Sequence, residues 1–179
     1  DVMGDMGQLM YDNKMGTAKS QFQAFDDAEK TDSKNFTSPK QLYIYFNLAT
    51  DLVDANQMPL EQYFELYDNL INKIEGKESD MAKIISGLLE KQEAGTQLTS
   101  KENKKLENAE KNLGSYGKIK GSINTLLGQR ADCGNLVPLY EKQFEERKSD
   151  INWVRVAAGR LSAKDCNDGD LFFRLVQQL

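Results

Sequence analysis

Apolar side chains recur three and four positions apart over most of this 179-residue chain, and this period is the strongest constraint on its fold. The clearest run follows Ser38 and Pro39, which suit the cap and the first position of a helix. Its members are Leu42, Tyr45, Phe46, Ala49, Leu52 and Val53. Side chains spaced in this way lie on one face of a helix. We predict a helix over residues 39–54.

A second run with the same period begins after Pro59 and continues to Gly76. Its members are Leu60, Tyr63, Phe64, Tyr67, Leu70, Ile71 and Ile74. Only a short polar turn separates the two runs, so we predict an antiparallel helix pair whose second helix ends at Gly76. The aromatic residues of the pair could line a groove for a partner, but their spacing favours core packing. Tyr43 lies off the main stripe and is the best candidate for a surface role.

Residues 77–131 keep the helical period but are rich in Lys, Glu and Asn. Thr99 and Glu102 have the spacing of a capping box, which predicts that a helix begins there. Three glycines at 114, 117 and 121 each cost a helix about 1 kcal/mol against alanine, so we predict a kink or a break. We interpret this segment as a charged helical-hairpin insertion. The amino-terminal stretch is also predicted to be helical, with an interruption near Gly16.

The third region, residues 132–179, contains three further apolar runs, and Asp150 is a predicted helix cap. The pair Asp132-Cys133 recurs as Asp165-Cys166, 33 residues later. A period near 34 residues is typical of tetratricopeptide arrays, in which helix pairs stack because one pair cannot bury its apolar face alone. The predicted fold is all-α, with antiparallel helix-pair repeats in a superhelix. We divide it into residues 1–76 (amino-terminal helices and first pair), 77–131 (insertion) and 132–179 (repeats).

Two short segments resemble the junction between tetratricopeptide repeats. Residues 140–144 read Tyr-Glu-Lys-Gln-Phe and residues 148–153 read Lys-Ser-Asp-Ile-Asn-Trp, like the end of one repeat and the start of the next. Lys148 stands where that family has proline, and Ala157 where it has glycine. Residues 132–179 and 39–76 are similar to divergent repeat proteins exported to the envelope of Gram-negative bacteria. The resemblance implies a scaffold in the periplasm or envelope, and it implies no site residues.

The chain contains no histidine, which excludes histidine-dependent hydrolases and removes the commonest zinc ligand. Cys133 and Cys166 alone cannot form a structural zinc site. A net charge of -5 argues against nucleic acid as a partner, because there is no excess of Lys and Arg to neutralise phosphates. No apolar run is long enough for a transmembrane helix. We therefore predict no catalytic, cofactor or metal residues.

Three local patterns have two interpretations each. Residues 165–170 resemble a calcium loop, but the glycine comes one position early and Val176 replaces the expected Glu, which favours a capped loop. The carboxylate pairs at 26–27 and 145–146 could act as acid and base, but neighbouring side chains on a helix diverge, which favours a solvated face. Equivalent points of stacked repeats lie about 10 Å apart, so we expect Cys133 and Cys166 to be free thiols rather than a disulfide.

The leading functional prediction is a non-enzymatic scaffold that binds another protein or a peptide segment. The alternatives are a structural subunit of a larger envelope assembly and a carboxylate-dependent hydrolase. Leu171, Phe172, Leu175 and Val176 form an amphipathic carboxy-terminal helix with no polar helix after it, whereas terminal repeats normally have such a cap. We expect that the natural protein continues with further repeats, or that a partner or a second copy covers this edge.

Overall fold

The computed structural model describes residues 2–167 and 169–179. Within these ranges the chain forms seven helices and no strand, which confirms the all-α prediction. The helices are α1 Val2–Thr31, α2 Pro39–Asp54, α3 Leu60–Glu93, α4 Ser100–Gly128, α5 Cys133–Arg147, α6 Ile151–Ala163 and α7 Asp170–Val176. They form two compact units, residues 1–124 and residues 125–179.

The core of the first unit lies among α1, α2 and the first turns of α3. Helix α2 has the bounds that the sequence predicts, and its apolar face is buried. The ring of Phe46 stacks on that of Tyr63 with a centroid distance of 4.8 Å. Thr50, a buried polar residue of this core, lies 3.0 Å from the Tyr63 hydroxyl and donates to the Phe46 carbonyl. Its hydroxyl is therefore paired, as buried polar groups need to be.

Helix α3 does not end at Gly76 as predicted, but continues to Glu93. The predicted interruption of α1 near Gly16 and the predicted break of α4 between residues 114 and 121 are also wrong, because both helices are continuous. A glycine inside a helix costs only about 1 kcal/mol, which packing along the rest of the helix offsets. Helix α3 ends where Gly95 adopts a φ of 81° and the Thr96 amide bonds to the Lys91 carbonyl. This is a Schellman cap, which stops a helix by satisfying its last carbonyls.

Helices α3 and α4 run antiparallel. Lys91 contacts Glu102 at 2.7 Å near the turn, and Lys120 contacts Glu78 at 2.5 Å farther along. Residues nearer the carboxy terminus of α4 therefore contact residues nearer the amino terminus of α3. Buried side chains accompany these polar contacts along the two helices and the turn between them. They are Leu88, Leu98, Ala109, Tyr116 and Ile123.

The predicted capping box opens α4. The Glu102 carboxylate accepts from the Thr99 amide at 2.9 Å, and the Thr99 hydroxyl accepts from the Glu102 amide at 3.2 Å. Two amides at the start of the helix are thus satisfied reciprocally. The hydrogen bond from Lys91, together with those from Thr99, lowers the pKa of Glu102 to about 2.

We expect Glu102 to titrate near pH 2 in the folded chain, against an ordinary value of about 4.3. Because the folded pKa is the lower one, the stabilisation from these bonds is complete above about pH 4.3 and is lost as the pH falls through 2. A carbon-13 NMR titration of the carboxylate measures this directly. A Thr99→Val variant should raise the Glu102 pKa, and an unchanged value in that variant would contradict the cap.

The second unit is built from α5, α6 and α7, which pack against one another. Asp132 caps α5 by accepting from the Asn135 amide at 2.8 Å. Asp150 caps α6 by accepting from the amides of residues 152 and 153, as the sequence predicts. The rings of Tyr140 and Trp153 meet edge to face at 5.9 Å between α5 and α6. Buried aliphatic side chains fill the rest of this core. They are Leu136, Val154, Leu161, Leu171 and Leu175.

Cys133 and Cys166 form a disulfide, so the expectation of two free thiols is wrong. Their α-carbons are 5.6 Å apart, within the usual range for a disulfide. The expectation failed because the two cysteines do not occupy equivalent positions. Cys133 is the first residue of α5, whereas Cys166 lies in the turn before α7, after Asp165 with a φ of 55°. That turn brings Cys166 back to the start of α5.

Candidate interaction surfaces

The first candidate surface is an apolar row on α7 and the turn after it. Phe173, Val176 and Leu179 are 61%, 44% and 61% exposed. They are three residues apart, and the Leu179 amide bonds to the Val176 carbonyl, so the row continues beyond the helix. The opposite face of α7 is buried through Leu171 and Leu175. Helix α7 therefore has apolar side chains on both its packed and its exposed faces. We call the exposed row of Phe173, Val176 and Leu179 the α7 edge.

Contacts with α5 fix the position of the helix that carries the α7 edge. The Arg174 guanidinium bonds to the Glu141 carboxylate of α5 and pairs with Asp170 at 2.8 Å. The same guanidinium lies 4.8 Å from the Phe144 ring centroid, a cation–π distance. These contacts hold α7 against α5, so the exposed side chains of the α7 edge are presented on a positioned helix.

A second apolar row lies on the first half of α1. Met6, Leu9 and Met10 are spaced three and four apart and are 59%, 63% and 71% exposed. The side chains that α1 buries, Ala18 and Phe22, come later in the helix and point in another direction. Methionine side chains adapt to irregular partners, which suits a binding surface. We call this row the α1 stripe.

The third candidate is a cleft of about 200 Å³ in the first unit, with walls from α1 and α3 and part of its floor from α2. Its charged lining consists of three carboxylates, those of Asp26, Glu29 and Glu65, and one ammonium group, that of Lys30. The Tyr45 hydroxyl donates to Asp26 at 2.6 Å, and Lys73 donates to Glu29 at 2.9 Å. The cleft is therefore acidic at its rim, and these hydrogen bonds fix the positions of Asp26 and Glu29.

These contacts alter the acid–base behaviour of the cleft. Burial raises the pKa of Asp26, but hydrogen bonds from Lys30 and Tyr45 outweigh it, so the pKa lies below its ordinary value. The hydrogen bond from Lys73 likewise lowers the pKa of Glu29 against the effect of burial. Burial and the bond to Asp26 raise the pKa of Tyr45. At neutral pH the two carboxyl groups are negatively charged and the phenol is neutral.

The aromatic residues of the first helix pair fall into a buried group and a half-buried group. Tyr45, Phe46, Tyr63 and Phe64 are buried, which confirms the core interpretation for them. Tyr67 is half-buried, and its hydroxyl donates to Asn124 of α4 at 2.8 Å. Tyr43, the candidate for a surface role, is also half-buried.

The remaining sequence patterns do not converge on one site. At the surface, Asp27 accepts from Gln23 within α1, and Glu145 pairs with Lys148, the residue after the end of α5. In the calcium-like loop Asp168 lies outside the described residues, and Asp170 pairs with Arg174. In the part of the chain that the structure describes, no cluster of acidic or cysteine side chains has the geometry to hold a metal ion.

Sequence reasoning missed the cleft and the α1 stripe for different reasons. The stripe has a visible signal, because Met6, Leu9 and Met10 show helical spacing before the core residues begin. The cleft has only a weak signal in the sequence. A buried tyrosine needs an acceptor for its hydroxyl, but no local pattern shows that Asp26 is the acceptor for Tyr45, 19 residues away.

Over the residues that the structure describes, the fold is all-α and carries the α1 stripe, the α7 edge and the acidic cleft of the first unit. Comparison with protein-family models, curated proteins and solved structures found no match to this chain. None of the described helices combines the length and apolar character needed to cross a membrane.

Proposed function

We propose that this chain is a non-enzymatic protein–protein interaction scaffold built from tetratricopeptide-like helical repeats. The observation that carries the proposal is the α7 edge, where Phe173, Val176 and Leu179 form an exposed apolar row. Single exposed apolar residues are normal, but a contiguous row on a positioned helix is typical of a binding surface. In this proposal α5 and α6 form one repeat and α7 is the first helix of the next.

The partner that fits the α7 edge is another protein or a peptide segment with its own apolar stripe. A row with a spacing of three residues packs well against an amphipathic helix. Phe173 is the expected anchor, because large aromatic side chains contribute most to such contacts. A second copy of the chain is one possible partner, with the two α7 edges meeting.

The disulfide supports a location in the periplasm or another exported compartment. Disulfides persist in oxidising compartments and are rare in the reducing cytosol. The Cys133–Cys166 bond joins the start of α5 to the turn before α7, so it fixes the unit that presents the α7 edge. We propose an exported scaffold on this ground and on the resemblance to envelope repeat proteins.

One alternative has an observation in its favour. A structural subunit of a larger envelope assembly contacts more than one neighbour, and among the described residues each compact unit has its own exposed apolar row, the α1 stripe in the first and the α7 edge in the second. The carboxylate-dependent hydrolase has less support, because the Asp26 and Glu145 carboxylates are engaged by lysines at the surface.

Affinity capture with the full chain tests the proposal. The native chain, Phe173→Ser and Gln177→Ser are each immobilised and exposed to an extract of the source cells, and retained proteins are quantified by mass spectrometry. Gln177 is exposed next to the α7 edge and serves as the matched polar control. We expect at least one protein that the native chain and Gln177→Ser retain equally and Phe173→Ser retains at least tenfold less. Retention that is equal for all three chains, or no retained protein, would contradict the proposal.

A further inference from the structure

We infer that the cleft of the first unit is a pocket for one arginine side chain of a partner segment. This inference rests on the proposed scaffold function and names a chemical feature of its partner. It concerns residues remote in sequence from the α7 edge, so the two can be tested separately. The cleft lies among α1, α2 and α3, within the unit of residues 1–124.

The size of the cleft sets the size of its occupant. A volume of about 200 Å³ is below the range of roughly 300–1,000 Å³ that small-molecule sites occupy. It has room for one long side chain rather than for a whole cofactor or drug-sized ligand. A pocket of this size in a scaffold is therefore suited to a single anchoring residue of a partner.

The walls of the cleft combine an apolar surface with an acidic rim. Phe22, Leu66 and Leu70 provide the apolar part, and Tyr45 adds an aromatic ring beside them. The ring centroids of Phe22 and Tyr45 are 5.2 Å apart, so the two form one continuous surface. Arginine and lysine place their methylene stems on such surfaces and keep the charged group at the edge.

The charges at the rim favour a cation. Three carboxylates, Asp26, Glu29 and Glu65, line the cleft. Lys30 pairs with Asp26 at 2.6 Å and Lys73 pairs with Glu29 at 2.9 Å. Glu65 is exposed on α3 and has no hydrogen bond or ion pair to the described residues. The rim therefore has one negative charge in excess.

The geometry of the rim favours arginine over lysine. A guanidinium presents five donors in a planar fork, so it can bond the Glu65 carboxylate through two atoms and still have donors left for a neighbouring acceptor. The side-chain amide oxygen of Gln62, one turn before Glu65 on α3, adds an acceptor to the lining of the cleft. An ammonium group is a point charge and lacks the planar fork that bonds a carboxylate through two atoms.

The cleft is formed before any partner binds. The Tyr45 hydroxyl is fixed on Asp26 at 2.6 Å, and the Tyr45 ring contacts Phe22, Phe25 and Phe36. Binding an arginine would not require these groups to be ordered first, which reduces the entropic cost of association. A neutral apolar side chain would fill the floor but leave Glu65 without a partner.

NMR titration of the nitrogen-15-labelled full chain tests this inference. The probes are N-acetyl-L-arginine amide and, as a neutral control of nearly the same shape, N-acetyl-L-citrulline amide. A ligand of this size is expected to bind with a dissociation constant of about 1 mM or weaker. The matched protein variants are Glu65→Gln at the rim and Glu110→Gln on α4. Glu110 is also exposed and has no described hydrogen bond or ion pair.

We expect saturable amide shifts centred on the cleft with the arginine probe and much smaller shifts with citrulline. Glu65→Gln should weaken the arginine affinity at least threefold, and Glu110→Gln should leave it unchanged. Equal shifts from both probes, shifts spread over all surface carboxylates, or equal affinities of the two variants would overturn the inference. Such a failure would leave the scaffold proposal standing, because capture through the α7 edge depends on Phe173 and not on Glu65.

Discussion

Replacing Cys133 and Cys166 together by serine should lower the free energy of unfolding of the second unit by about 3–4 kcal/mol. The disulfide closes a loop with a sequence separation of 33 residues, and its loss restores the conformational entropy of the unfolded chain. The second unit is small, so a loss of this size is a large share of its total stability. Urea unfolding followed by the fluorescence of Trp153 measures the effect. Trp153 is the only tryptophan of the chain and is buried in this unit.

A reducing agent provides the control for this prediction. It should lower the urea midpoint of the native chain to that of the double-serine variant, and it should not change the variant further. Identical Trp153 transitions with and without reductant would show that the disulfide does not stabilise this unit.

The largest effect expected in the first unit is that of Phe46→Ala, about 3–5 kcal/mol of destabilisation. Phe46 is fully buried in α2, and its ring stacks on Tyr63 of α3. Truncation removes the contact and leaves a cavity that neighbouring side chains can fill only in part. Urea unfolding followed by circular dichroism of the helices measures the loss.

The matched control is the same substitution at an exposed position. Phe173→Ala removes an identical side chain from the α7 edge, where Phe173 is 61% exposed. We expect this variant to lose less than about 0.5 kcal/mol, as surface substitutions usually do. If the two variants lost similar stability, the packing of α2 on α3 would not be the core of the first unit.

The elements predicted correctly from the sequence are those that local chemistry decides. The bounds of α2 follow from Pro39 and its apolar face, and the start of α4 follows from the Thr99–Glu102 capping box. The predicted helix end at Gly76 was wrong because a glycine's local preference is weaker than the packing of a long helix. A helix end also needs a backbone conformation such as that of Gly95, and Gly76 does not adopt one.

Contacts between distant residues could not be predicted in the same way. The disulfide depends on a turn after α6 that brings Cys166 to the start of α5, and the repeated Asp-Cys pair indicated a larger separation. The cleft depends on three helices placing Asp26, Tyr45 and Glu65 around one space. The sequence indicated an uncovered apolar face at the carboxy terminus, but on Leu171, Phe172, Leu175 and Val176. Leu171 and Leu175 are instead buried in the second unit, and the exposed row consists of Phe173, Val176 and Leu179.

The central claim is that the α7 edge binds a protein through Phe173. The most direct measurement is calorimetric titration of a protein retained by the native chain against purified native, Phe173→Ser and Gln177→Ser chains. We predict that Phe173→Ser weakens the affinity at least tenfold, which corresponds to about 1.4 kcal/mol, while Gln177→Ser stays within threefold of native. Equal affinities for all three chains would contradict the claim.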